Sequence, residues 1–77
     1  MLVHVLLYEA GTQNEGIHSL ELKGKTVILM FQDKDDAERY CGLLEAQDFP
    51  IPSVQELTKL DIQAFCEEAG YEARFVK

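Results

Sequence analysis

Two adjacent residues, His18 and Ser19, are the most obvious candidates for chemistry in this sequence. A histidine beside a hydroxyl suggests a general base that activates a nucleophile. The pair lies in an alternating run, Ile17 to Leu22, in which neighbouring side chains point to opposite faces of a strand. Without a break in that strand His18 cannot activate Ser19, so the sequence predicts no catalytic residues and no enzyme activity.

Metal binding is the second chemistry to consider. The histidine and cysteine ligands are His4, His18, Cys41 and Cys66. Structural zinc sites usually place such ligands about two to four residues apart, and no two of these are that close. The acidic run Asp33, Asp35 and Asp36 lacks the alternating ligands of a calcium loop, and it is typical of a helix N-terminus. The sequence predicts no metal and no cofactor.

The two cysteines, Cys41 and Cys66, are predicted to be free thiols. Two are too few for the disulfide framework of a small secreted protein. Each falls on the apolar stripe of a predicted helix, where a free cysteine behaves as a small hydrophobic residue. Whether they ever pair depends on how the helices lie, which the sequence leaves open. With no signal-peptide pattern, a cytoplasmic location is expected.

Composition limits the possible partners. The chain has 77 residues, 47% of them apolar, which predicts a single folded domain over residues 1–77. Its net charge of −7 repels phosphate backbones and anionic lipids at long range. No apolar stretch approaches the ~20 residues that span a bilayer. Nucleic acid binding and membrane insertion are therefore not expected.

The elements that position these residues follow from the periodicity of the sequence. Apolar or alternating runs predict strands at Leu2 to Tyr8, Ile17 to Leu22, Thr26 to Phe31, Ser53 to Leu57 and Tyr71 to Val76. Helical spacing begins after Asp33 and after Thr58, and Gly70 ends the second helix. The predicted order is β-β-β-α-β-α-β.

This order predicts an α+β two-layer sandwich. We expect a mixed sheet of about four or five strands with both helices on one face, as in ferredoxin-like or ACT-like domains. The first and third strands are apolar on both faces, so the second face needs cover from a second copy or a protein partner. The residues concerned are Leu2, Leu6, Tyr8, Val27, Leu29 and Phe31, or their opposites. Terminal segments or the loop from Glu9 to Gly16 are the alternative cover.

Two regions are candidate sites for binding. By analogy with ACT-like domains, the loop and strand residues Glu15, Gly16, Ile17, His18 and Ser19 form a candidate interaction or ligand loop. A second candidate surface consists of Gly42, Ala46 and Phe49. Gly42 lies off the apolar stripe, where glycine costs ~1 kcal/mol relative to alanine, which indicates a close approach or a tolerated glycine on a solvated helix.

Three blocks carry a resemblance to a known family. They are Glu15 to Ser19, Asp35 to Tyr40 and Leu43 to Pro50. The chain resembles an uncharacterised family of short cyanobacterial proteins with relatives in plant plastids. The resemblance implies a photosynthetic setting, either the cyanobacterial cytosol or, in relatives that carry a transit peptide, the chloroplast stroma. It indicates nothing about the chemistry of the protein.

The leading expectation is a non-enzymatic protein-interaction or assembly-factor domain of a photosynthetic cell. It binds a protein partner or forms a homo-oligomer. The alternative is an ACT-like regulatory domain that binds a small molecule at the Glu15 to Ser19 segment, and a small enzyme is a more distant third.

Overall fold

The computed structural model describes the whole chain, Met1–Lys77, as six strands and two helices. In chain order these are β1 (Leu2–Tyr8), β2 (Gly16–Ile17), β3 (Leu20–Leu22), β4 (Lys25–Phe31), α1 (Lys34–Ala46), β5 (Ser53–Thr58), α2 (Lys59–Ala69) and β6 (Glu72–Val76). The α+β class and the predicted order are confirmed. The second predicted strand is interrupted at His18 and Ser19, so it forms β2 and β3.

The six strands form one mixed sheet. Strand β1 pairs antiparallel with β5 along one side, and on its other side it pairs with β4 at His4 and with β2 at Leu7 and Tyr8. Strand β4 pairs with β3 at its start and with parallel β6 along its far side. Strands β2 and β3 therefore fill the opening between β1 and β4, while β5 and β6 form the edges.

Alternate residues of the central strands contact different helices. One cluster joins alternate residues of β1 and β4 to α2: Val3, Val5, Ile28 and Met30 with Ile62 and Cys66. The other joins the intervening residues to α1: Leu6 and Phe31 with Ala37, Cys41 and Leu44. Because successive side chains of a strand point to opposite faces, α1 and α2 lie on opposite faces of the sheet.

The helix placement differs from the expectation that both helices cover one face. From β4, the connection through α1 crosses β1 to reach β5, and the connection through α2 returns across the sheet to β6. Strands β4, β5 and β6 all run parallel to one another. Two right-handed crossovers that travel in opposite directions place their helices on opposite faces. The strand order, which decides this, was not available from the sequence.

The two-sided helix cover also removes the reason for expecting an uncovered apolar face. Among the residues that the sequence predicts to need a partner, Leu6, Val27 and Phe31 are buried within the chain itself. Leu2 is exposed, at 52%, but it lies at the beginning of β1. The apolar character of β1 and β4 on both faces is therefore explained by one helix on each side.

The ends of α2 follow the predicted capping pattern. The Thr58 side-chain oxygen accepts a hydrogen bond from the Asp61 backbone N–H at 3.2 Å, and Gly70 ends the helix in the left-handed conformation at φ 77°. Asp33 occupies the N-cap position of α1 but makes no side-chain capping bond. Neither helix is long and apolar enough to cross a membrane.

Truncating the core on either face is expected to destabilise the fold. Leu6→Ala opens a cavity under α1 and Ile28→Ala opens one under α2, so each lowers the free energy of unfolding by about 2–5 kcal/mol. Leu60→Ala, at a side chain that is 75% exposed, changes it by less than about 0.5 kcal/mol. Urea unfolding measures all three, and a near-neutral result for either core variant would show that its face lacks a helix.

The cysteines are expected to resist pairing in the native state. Cys41 lies on the buried side of α1 and Cys66 on the buried side of α2, with the sheet between them, whereas a disulfide requires Cα atoms about 4.4–6.8 Å apart. Mild oxidation of the folded monomer should leave both thiols free by intact mass, and unfolding in guanidinium should expose both to a thiol reagent. A native monomer that loses two hydrogen atoms, with no such loss in Cys41→Ser, would contradict the opposite-face arrangement.

Candidate functional site

An apolar groove with a cavity volume of about 370 Å³ lies on the α2 face of the sheet. The strands supply Leu7, Ile17 and Leu57, the loop before β2 supplies Glu15, and Gly16 lies beside them. The helix supplies Asp61, Ile62 and Phe65. Below, this set of residues is called the α2 groove.

The groove exists because α2 covers only part of its face. Val3 and Val5 lie beneath the helix and are fully buried, whereas Leu7, two residues further along β1, is half-buried. Strand β2 pairs Ile17 directly with Leu7, so two apolar side chains stand next to each other on the part of the face that α2 leaves open.

Two carboxylates lie at the rim of the α2 groove. The Glu15 side chain accepts a hydrogen bond from the Gly11 backbone N–H at 2.7 Å, which closes the loop between β1 and β2. The Asp61 carboxylate forms no ion pair, although the Asp61 backbone N–H is bonded to Thr58. The groove therefore offers an apolar floor beside negative charge that the chain does not neutralise.

His18, one residue beyond the groove, points to the other face of the sheet. Its Nδ1 lies 2.9 Å from the Tyr8 hydroxyl and its Nε2 lies 3.3 Å from the Tyr40 hydroxyl. A neutral imidazole donates from one ring nitrogen and accepts at the other, so one tyrosine donates a hydrogen bond and the other accepts one. This Tyr8–His18–Tyr40 chain ties the bend between β2 and β3 to β1 and α1.

Burial keeps the three side chains of the Tyr8–His18–Tyr40 chain uncharged at neutral pH. It lowers the pKa of His18, and it raises the pKa of Tyr40. For Tyr8, burial again raises the pKa, and the negative charges that Tyr40 and Cys41 acquire when they ionise raise it further. Neither tyrosine ionises near neutral pH. The hydrogen bonds are therefore suited to holding the bend between β2 and β3 in place.

Both thiols are also unreactive in character. Burial raises the pKa of Cys66, and it raises the pKa of Cys41 together with the nearby charge of Glu38. The thiolate is the nucleophilic form of cysteine, so raised pKa values oppose reactivity at both positions.

Metal-binding geometry is not formed anywhere in the chain. No group of three or more His, Cys, Asp or Glu side chains lies close enough to hold an ion. His4 makes one polar contact, with its Nε2 3.4 Å from a Glu56 carboxylate oxygen, and its buried Nδ1 has no hydrogen-bond partner.

The residues predicted from sequence fall in three places. Glu15, Gly16 and Ile17 line the α2 groove, as described above. His18 belongs to the Tyr8–His18–Tyr40 chain on the other face, and Ser19 is exposed at the bend between β2 and β3. The candidate loop is therefore divided between two faces of the sheet.

The second candidate surface lies on and after α1. Gly42 and Ala46 are exposed on the helix, and Phe49 is 53% exposed just beyond its end. Apart from the adjoining residues and backbone of α1 itself, no atom lies within 4 Å of the position that a Cβ at Gly42 would take, so no other part of the chain approaches closely there. This surface is separate from the α2 groove, because α1 covers the opposite face.

Sequence reasoning missed several residues of both arrangements. The apolar spacing of Leu57 and Ile62 indicates only that they belong to the core. The capping pattern at Thr58 and Asp61 indicates a helix start and does not indicate a groove. Tyr8 and Tyr40 are 10 and 22 residues from His18, and no spacing rule connects residues so far apart.

Comparison with known proteins gives one match. The model of a family described as "Domain of unknown function (DUF3110)" matches residues 3–77, a range that includes both helices and every residue of the α2 groove. No curated protein and no solved structure matches the chain.

Protonation of His18 is expected to weaken the fold. Because the folded-state pKa lies below the ordinary value of 6.5, stability is lost as the pH falls from 6.5 through that lower pKa. The free energy of unfolding, measured by urea between about pH 7.5 and 5, should therefore fall more steeply in the wild type than in His18→Phe, which keeps a ring but cannot ionise.

Ser19→Ala is the matched control, since it changes the exposed neighbour and should keep the wild-type pH dependence. An equal pH dependence in His18→Phe and the wild type would show that His18 does not contribute to it.

Proposed function

The chain belongs to the family described as "Domain of unknown function (DUF3110)". We propose that it is a non-enzymatic interaction domain that binds a segment of a partner protein in the α2 groove. The resemblance to cyanobacterial and plastid proteins supports a photosynthetic cell as the setting, and there the domain would act as an assembly factor.

The observation that carries this proposal is the combination of apolar floor and unpaired charge in one groove. Leu7 and Ile17 offer half-buried apolar surface, and Phe65 on α2 is 43% exposed beside it. Water on such surface is released when an apolar side chain covers it, which favours binding. Asp61 and Glu15 add negative charge at the rim.

The charge at the rim specifies the occupant. A bound segment is favoured if it carries Lys or Arg next to an apolar side chain, because the cation can pair with Asp61 while the apolar group contacts Leu7 and Ile17. The net charge of −7 favours the approach of a basic segment over a long range.

An alternative is the ACT-like regulatory domain that binds a small molecule at the Glu15 to Ser19 segment. The groove volume of about 370 Å³ falls within the range of small-molecule sites. Such sites usually bury most of the ligand, however, whereas Glu15, Asp61 and Phe65 are all exposed at the rim. An open groove suits a chain that crosses it better than a small ligand enclosed within it.

Non-enzymatic character is supported by the state of the reactive groups. The thiols of Cys41 and Cys66 are buried with raised pKa values, and His18 is held between two tyrosine hydroxyls rather than beside a nucleophile. None of these groups faces the α2 groove.

Peptide selection tests the proposal. A random peptide library is selected on the immobilised protein, and the enriched peptides are measured by fluorescence anisotropy. We expect them to combine an apolar residue with Lys or Arg. Phe65→Ala should weaken their binding about tenfold, because it removes one wall of the groove. Asp61→Asn should weaken it about threefold, because a rim charge contributes little.

Matched controls lie on the same helix outside the groove. Leu60→Ala removes an apolar side chain that is 75% exposed, and Glu68→Gln removes an exposed charge, so both should bind like the wild type. Peptides that are lost with Phe49→Ser but keep their affinity for Phe65→Ala would move the site to the surface formed by Gly42, Ala46 and Phe49. Failure to select any saturable peptide would contradict the proposal.

A further inference from the structure

A second concavity, on the α1 face, carries the opposite charge from the α2 groove. Its volume is about 360 Å³, and it is lined by Leu22, Lys23, Lys25, Val27, Glu72 and Arg74. Three cations against one carboxylate leave a local excess of two positive charges. The chain as a whole has seven Lys and Arg and a net charge of −7, so this concentration of positive charge runs against the overall balance. It is called the basic concavity below.

Strand register brings these residues together. Lys23 and Lys25 lie at the turn from β3 to β4, and β6 runs parallel beside β4, with Val27 opposite Glu72. Val27 and Arg74 are on the same face, because Arg74 is two residues beyond Glu72. Helix α1 packs over the other end of this face, at Leu6 and Phe31, and therefore leaves the concavity open.

Two of the three cations have no ion-pair partner within the chain. The Arg74 Nη2 lies 2.7 Å from a Glu72 carboxylate oxygen, so these two charges compensate each other. Lys23 and Lys25 form no ion pair. In contrast, Lys34 is paired with Glu38 on α1. The free positive charge of the concavity therefore comes from the two turn lysines.

The position of Lys23 is unusual for a lysine. The two-residue turn between β3 and β4 has positive φ at both central residues, 52° at Lys23 and 79° at Gly24, which is the pattern of a type I′ hairpin turn. Asn, Asp or Gly is preferred at the first position, because a Cβ is strained there and only the short polar side chains of Asn and Asp offset the strain by local hydrogen bonds. The turn conformation alone therefore favours Asn over Lys at position 23. The property that Lys23 has and Asn lacks is the positively charged ammonium group.

The floor between the cations is apolar. Val27 is 1% exposed and packs within the sheet, while Leu22 is 41% exposed at the edge of the concavity. A ligand that fits this surface has an anionic group for the lysines and a compact apolar part for Leu22.

We propose that the basic concavity binds a small anion, a phosphate or carboxylate group carried on a compact apolar body. A polyanion is disfavoured, because nucleic acid or an anionic membrane would also meet the negative charge of the rest of the chain. A small anion lies within one screening length of the lysines, about 8 Å at physiological salt, and is largely shielded from more distant carboxylates. This site is independent of the α2 groove and of the partner proposed there.

The test is an NMR titration of the ¹⁵N-labelled full chain with four probes. Phenyl phosphate and benzoate carry an anion on an apolar ring, inorganic phosphate carries the charge alone, and benzyl alcohol carries the ring alone. We expect saturable shifts at the amides of residues 22–27 and 72–74 with phenyl phosphate or benzoate. The tighter of these two identifies the anionic group, and both inorganic phosphate and benzyl alcohol should bind more weakly.

Lys23→Asn is the decisive variant, since it removes the charge while favouring the turn conformation. Its melting temperature should equal or exceed that of the wild type, and it should bind the preferred probe about tenfold more weakly, the equivalent of one charge-assisted hydrogen bond. Lys34→Gln, which removes an exposed lysine on α1, should bind like the wild type.

Three results would overturn the proposal: shifts spread over all the lysines, equal weakening by Lys34→Gln and Lys23→Asn, or benzyl alcohol binding as tightly as phenyl phosphate. Each would mean that the concavity does not recognise the anion. Peptide binding in the α2 groove is measured separately, so either proposal can fail while the other holds.

Discussion

Burial of both faces of β1 is the constraint on which the rest of the structure depends. The strand lies inside the sheet, with Val3 and Val5 fully buried on one face and Leu6 at 2% exposure on the other. A short chain cannot leave that much apolar surface in water, and it has only two helices with which to cover it. One helix on each face satisfies this need, and because both clusters use β1 and β4, the two halves of the core cannot fold independently.

The same arrangement explains why concave surfaces remain. A helix is about 10 Å wide and strands are spaced ~4.8 Å apart, so one helix covers roughly two strands of a sheet that is at least four strands across. Each face is therefore left partly open. On the α2 face the open part is an apolar groove with carboxylates at its rim, and on the α1 face it is lined by lysines. The Tyr8–His18–Tyr40 chain fixes the bend between β2 and β3, where Ile17 contributes to one face and His18 to the other.

Local features could be predicted from the sequence, and relations between distant residues could not. Element types, the cap at Thr58 and the end at Gly70 each depend on a few neighbouring residues, and the structure confirms them. The face of the sheet that each helix covers depends on strand order. The sequence of β1, which is apolar on both faces, is equally consistent with cover by a partner protein and with cover by a second helix. Arg74 joins the turn lysines only because β6 pairs in parallel register with β4, which periodicity does not encode.

Methyl–methyl NOE spectroscopy on the labelled chain reports directly on whether the helices lie on opposite faces of the sheet. We expect cross-peaks between Ile62 and Val3 or Val5, and others between Leu6 and Ala37 or Leu44, with none joining Ile62 to Leu6. Cross-peaks from Leu6 to both Ile62 and Leu44 would place both helices on one face. Neither the α2 groove nor the basic concavity would then exist in the form described.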